Sequence, residues 1–193
     1  MANYCWNWVC FEGNKATLED LQKKFEEGVK SENLITLSNI LFNEDKNIEE
    51  ISSLYDEYGT KWWDIDRNEI DNDCLIVVGD SAWGPPSVLI KRVSEVYKVK
   101  ATIEFEEMAN DFGGSETYID GELTEEITMT YREWNYHNSR EYAIASIIED
   151  LEDSPEDYYE SAEALLEDLD YMTEEDRNEV LSAYLKSLKQ VTK

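Results

Sequence analysis

The residues with the most chemical reach in this sequence are few. One histidine, His137, stands in the stretch NYHNSRE, and three cysteines stand at 5, 10 and 74. A catalytic triad needs a nucleophile, a base and a group that orients the base, and no set of residues here nominates all three. His137 therefore reads as a loop or cap residue. The cysteines and the histidine lack the paired spacing of a zinc site. Cys5 and Cys10 are five residues apart on a strand-like segment, so they point to opposite faces. They read, with Cys74, as buried reduced thiols of a cytoplasmic protein. Asp64, Asp66 and Asn68 occupy the first, third and fifth positions of a calcium loop. Glu69 stands where that loop needs glycine and Leu75 where it needs its bidentate glutamate, so the stretch reads as a polar β-turn. GDSAWG lacks the spacing and the Lys-Ser/Thr of a phosphate loop. The expectation is no catalytic residue, no metal and no cofactor.

Carboxylates are the abundant chemistry. The 193 residues carry 45 acidic against 17 basic side chains, a formal charge of −28. That balance disfavours nucleic acid and anionic membranes as partners, since both need segregated Lys and Arg, and it favours a basic protein surface. Acidic residues recur from Glu149 to Asp176 with no Lys or Arg among them. On one helix Asp153, Asp157, Glu160, Glu163 and Glu167 advance by three or four residues and share a face; Asp168 lies beside them. This row is either a solvated face or a set of phosphate surrogates that occupies a basic groove. Glu104 and Glu106 share one face of a strand, as an enzyme acting on a cationic substrate could use them. Trp62, Trp63 and Trp83 form a second candidate surface, because clustered tryptophan anchors interfaces.

Elements must hold these groups in place. With 41% hydrophobic and 12% aromatic residues the chain has the composition of a folded protein. NYCWNWVCFE at 3–12 alternates like a strand, and Thr17 looks like the cap of a helix reaching about Ser31. LITLSNIL at 34–41 reads as a strand, and 47–58 as a short helix that Gly59 ends. GTKWWDID, the polar turn NEIDND and CLIVVGDSAW follow as strand, turn and strand. Pro85-Pro86 opens a helix, 99–108 is a strand, and Asp120-Gly121 turns a hairpin. Helices are expected at 138–152, 155–171 and 173–190, where Thr173 and Asp176 resemble a capping box. No run of about 18 apolar residues occurs and no cationic leader opens the chain.

Four motifs in order, Asn3-Tyr4-Cys5-Trp6-Asn7, Gly59-Thr60-Lys61-Trp62, Ala82-Trp83-Gly84-Pro85-Pro86 and Phe112-Gly113-Gly114, resemble the YubB ferredoxin-like domain family of plasmids and phages. Tyr4, Trp63 and Gly84 depart from its usual pattern. The resemblance covers about 1–134 and implies a ferredoxin-like α+β sheet with packed helices. Residues 135–193 remain as an acidic helical extension. The expected function is a non-enzymatic, protein-binding accessory of a phage or mobile element that mimics nucleic acid and inhibits a basic host or defence factor in the cytoplasm. The alternatives are a self-assembling structural or virion module, and an enzyme using carboxylates on a small or cationic substrate.

Overall fold

A computed structural model describes residues 3–31, 33–153, 159 and 161–191. The chain divides into two compact units, Met1–Tyr131 and Arg132–Lys193.

In the first unit, alternation makes β1 (Tyr4–Glu12). Cys5, Asn7, Val9 and Phe11 are fully buried on one face, while Tyr4 and Trp6 are exposed on the other. The helix α1 (Lys15–Val29) begins earlier than Thr17 suggests, because the Asn14 side chain accepts the Thr17 N–H at 3.0 Å. Residues 34–41, expected as a strand, form the helix α2 (Leu34–Phe42). Asn33 accepts from the N–H groups of Ile35 and Thr36, and Leu34, Leu37 and Leu41 then fall on one buried stripe. A short apolar run fits either period, and the cap decides it. A 3-10 turn at Ile48–Glu50 leads to α3 (Leu54–Tyr58), closed by Gly59 at φ 85°.

The hairpin of β2 (Trp63–Asp71) and β3 (Cys74–Ala82) turns at Asn72, with φ 54°. Of the residues read as a polar turn, 68–73, those at 68–71 thus belong to β2. The helix α4 (Ser87–Tyr97) has Pro86 at its cap position. It leads into β4 (Lys100–Glu107), and Asp120-Gly121 joins β5 (Phe112–Ile119) to β6 (Glu122–Met129). The sheet order is β2-β3-β1-β4-β5-β6, with every pair antiparallel. The first four strands make two interleaved split βαβ units, the ferredoxin-like pattern, and β5–β6 extend the sheet beyond β4. The fold is therefore α+β, with α1, α2 and α4 supplying Leu18, Leu21, Phe25, Leu37, Leu89 and Val93 to a core on one face. Phe25 stacks on Phe11 and meets the edge of Trp63.

The strand register also overturns the reading of the cysteines. Cys74 pairs with Glu12 and Cys10 with Ile76, so Cys10 and Cys74 are diagonal neighbours on the same face, with Cα atoms 5.9 Å apart, and they form a disulfide. Cys5 is the free thiol, buried in the core, where burial pushes its pKa up to about 12.

The second unit contains α5 (Tyr131–Asn138, which begins at the boundary), α6 (Arg140–Asp153), α7 (Ala162–Asp168) and α8 (Glu174–Val191). Ser161 caps α7, so the helix expected over 155–171 is shorter within the described residues, and Pro155 lies outside them. Ile147, Leu151, Leu165, Leu169 and Val180 form its core. Asp176, 2% exposed, receives both arms of Arg140 at 2.7–2.8 Å, the Tyr136 hydroxyl and the Thr173 hydroxyl. Arg140, foremost among these partners, holds its pKa well below the ordinary carboxylate range.

Thiol alkylation of the denatured, unreduced protein is expected to label Cys5 alone, and all three cysteines after reduction. Reduction should lower stability by up to about 4 kcal/mol, the chain-entropy value for a loop of this length, read from urea midpoints.

Candidate functional site

The face of the sheet opposite the helical core sets aromatic and acidic groups side by side. Side chains two residues apart on a strand share a face, and antiparallel register lines them up across strands. One row runs Asp64, Asp80, Trp6, Glu106, from β2 through β3 and β1 to β4. The next runs Arg67, Val78, Trp8, Glu104, Ser115, Ile127. Two tryptophans of the central strand are thus each bracketed by a glutamate of β4, and Trp6 has an aspartate on its other side. Trp6 is 39% exposed.

The electrostatics of the first row are unrelieved. Burial raises the pKa of Asp80, and the charges of Asp66 and Asp64 raise it further. Burial raises that of Glu106. Among the described residues no basic side chain forms an ion pair with either. A cation entering this row would meet two carboxylates that lack a counter-charge and the face of an indole, which attracts cations in its own right. No group of three or more His, Cys, Asp or Glu among the described residues is placed to hold a metal ion, and Asp64 and Asp66 lie on β2 rather than in a loop.

The residues singled out from sequence are dispersed. Trp63 is 8% exposed and packs on Phe25, which removes it from any surface patch. Trp62 is half-buried and meets Tyr4 edge to face at 5.2 Å. Trp83 is 44% exposed, with Lys61 Nζ 4.0 Å from its ring centroid. In the second unit the proposed carboxylate row is interrupted, because Ser161, with extended backbone, caps a new helix just ahead of Glu163. Asp157 and Glu160 lie outside the described residues, as does the side chain of Asp153. Glu163 and Glu167 are exposed on α7, while Asp168 accepts from Arg132 at 2.7 Å and from the Tyr159 hydroxyl. His137 sits in α5, stacked on Trp134. Trp6, Trp8 and Asp80 were not singled out. Alternation in NYCWNWVCFE does place both tryptophans on one face, but pairing Asp80 with Trp6 requires the strand order.

A family model described as the ferredoxin-like domain in Api92-like protein matches residues 57–154. The chain belongs to this family. The crystal structure of protein Api92 from Yersinia pseudotuberculosis is similar over 67% of this chain and 98% of that one, at 10% identity and a TM-score of 0.45. No curated protein matches the sequence. This Api92-like chain has no helix, among its described residues, long and apolar enough to cross a membrane.

A carboxyl whose folded pKa is raised adds no cost below the ordinary value of about 4; the cost grows as pH rises above that value and is complete above the raised one. Asp80→Asn and Glu106→Gln are therefore expected to raise the melting temperature at pH 7. The gain should disappear below about pH 4, where the unfolded carboxylates are protonated too. Thermal melts across that range check it.

Proposed function

We propose that this Api92-like protein is a non-enzymatic binder of a basic protein surface, and that the outer sheet face is where it binds. The observation that carries this reading is Trp6 set between Asp80 and Glu106, two carboxylates with raised pKa and no counter-charge. A lysine or arginine seated there gains two charge-assisted contacts and an aromatic face, and relieves a repulsion already present. Trp8, Val78 and Ile76 add half-buried apolar area beside it. This combination of an aromatic centre and charged surroundings resembles an interface with its own anchor and rim.

The partner class that fits is a nucleic-acid-binding factor of the host, whose basic groove the acidic face would occupy in place of phosphates. A phage or plasmid setting, as the YubB resemblance implies, accords with an anti-defence role. Glu163 and Glu167 on α7 form a second acidic surface, on the other unit. Self-assembly through the β6 edge of the sheet is disfavoured by Glu122, Glu125 and Glu126 on that exposed strand, since charge on an edge opposes strand addition by another copy. A reducing cytoplasm would open the Cys10–Cys74 bond, so the labelling described above, repeated on protein from intact cells, tests the cytoplasmic placement.

The deciding experiment is capture of partners from the host on the tagged protein, compared with Trp6→Ala, with Asp80→Asn/Glu106→Gln and with Glu163→Gln/Glu167→Gln. The expected outcome is a basic protein retained at low salt and released at high salt, as screening removes the long-range attraction. Its affinity should fall about tenfold or more with Trp6→Ala, as for an interface anchor. The carboxamide pair on the sheet should lose it as well, while the α7 pair leaves it unchanged. Equal retention by wild type and both sheet-face variants overturns the proposal.

A further inference from the structure

The opposite face of the same sheet holds a cleft of about 630 Å³, within the size range of small-molecule sites. The turn Trp83-Gly84-Pro85-Pro86 builds its wall. Trp83 adopts φ 65°, uncommon for a bulky residue, and Lys61 Nζ lies over its ring. Gly59 lies so close that a Cβ there would meet Pro85 O and Ser87 N at 3.0 Å, so the end of α3 is pressed against the start of α4. Gly84 is buried, yet a Cβ built on it meets nothing within 4 Å. The space beside it is empty, and the cleft lies there.

The chemistry of the lining is specific. Tyr55, Trp83, Phe105 and Phe112 provide aromatic surface from three directions: α3, the turn, and the strands β4 and β5. Glu116 and Thr128 face it from β5 and β6, and Asp56 stands on α3 at its side. Glu126 is paired directly opposite Glu116 in the strand register, so two like charges face each other at this end. Glu116 accepts the Tyr118 hydroxyl at 2.6 Å, which orients it. Neither glutamate, nor Asp56, forms an ion pair among the described residues, and the one cation placed against a wall of the cleft is Lys61, on the ring of Trp83 rather than at the carboxylates.

We propose that this cleft binds a small arylalkyl amine: a flat ring between the aromatic walls and a protonated amine at Glu116, beside Glu126. An aryl carboxylate would fit the walls equally well but would meet carboxylates, and a neutral aryl alcohol would keep the stacking without the charge. The three classes differ only in the group at the end of the chain, so their order of affinity reads the electrostatics alone. The site is on the other face of the sheet from Trp6, and it stands or falls independently of the protein-binding role.

The test is titration of the isotope-labelled full chain with phenethylamine, 2-phenylethanol and phenylacetate, followed by the backbone amide resonances of Gly84, Val88 and Thr128. Saturable shifts confined to the cleft are expected, with the amine binding about tenfold more tightly than the alcohol, as for a hydrogen bond to a charged group. Phenylacetate is expected to bind weakest. Glu116→Gln should bring the amine to the alcohol's affinity without altering the alcohol's own. Gly84→Leu, which grows into empty space, should abolish binding of all three while resonances elsewhere stay in place. Absence of saturable shifts with the amine, equal affinity for phenylacetate, or an unchanged amine preference in Glu116→Gln would each overturn the proposal; these readings use the wild type or a near-isosteric variant and do not depend on Gly84→Leu folding.

Discussion

Everything in the first unit depends on the register of β1. It is paired on both sides, with β3 and β4, so a slip by one residue would carry Val9 and Phe11 out of the core and Trp6 and Trp8 into it. The register is pinned by a buried amide. Asn7, fully buried, donates to Ser81 Oγ at 2.7 Å and to the Cys5 carbonyl at 2.7 Å, and Ser81 Oγ donates onward to the Gly84 carbonyl at 2.7 Å. A slipped strand would strand these polar groups in an apolar layer, where each unmade hydrogen bond costs about 1–3 kcal/mol. Gly79, opposite Asn7, tightens the constraint further. A Cβ there would lie 2.1 Å from the Asp64 carbonyl oxygen, so β2 can approach β3 only at this residue type. With β1 fixed, Trp6 has one place to go, between Asp80 and Glu106.

The acidic composition divides into carboxylates that the fold has answered and those it has not. Glu44 is held ionised mainly by Arg92, with Lys46 beside it, and Glu57 also takes Lys46. In the second unit Asp168 takes Arg132, and Asp176 takes Arg140 together with hydroxyls of Tyr136 and Thr173. These groups explain themselves as structure. Exposed carboxylates such as Glu163 and Glu167 repel one another weakly through water and need no explanation beyond solubility. Asp80 and Glu106 are unanswered in a different way, since they are partly withdrawn from water and have no cation. That distinction, rather than the total of −28, directs attention to the sheet face and away from the tail.

Strand alternation and turn chemistry are local, and they were legible. The face pattern of β1, the Gly59 cap, the helix after Pro85-Pro86 and the Asp120-Gly121 hairpin all follow from neighbours in sequence. LITLSNIL was not, because a short apolar run satisfies both periods and the outcome rests on one side chain, Asn33, at its edge. The Cys10–Cys74 bond and the Asp80–Trp6–Glu106 row were hidden for a different reason. Each joins residues that are tens of positions apart and meet only through the strand order β3-β1-β4. Spacing did show that Glu104 and Glu106 share a face; what it lacked was the neighbour that gives them meaning. In the tail, uniform acidity concealed a break, as Ser161 caps a new helix where one continuous row was expected.

The hairpin β5–β6 gives this chain its asymmetry. The four strands of the ferredoxin-like pattern lie under α1, α2 and α4, which bury Ile65, Val77, Val9 and Ile103 on the inner face. Two further strands widen the sheet, and α4 is the helix that reaches them. Their inner face is accordingly only partly apolar: beyond Phe112 and Tyr118, Glu116, Glu126 and Thr128 stand where a wider helical layer would require leucine or valine. An edge built with charge stays open, because covering it would desolvate two adjacent carboxylates. The turn at Trp83 closes the near side of that opening and Phe112 the far side, so the same residues that stop the core from extending leave a walled space at its boundary.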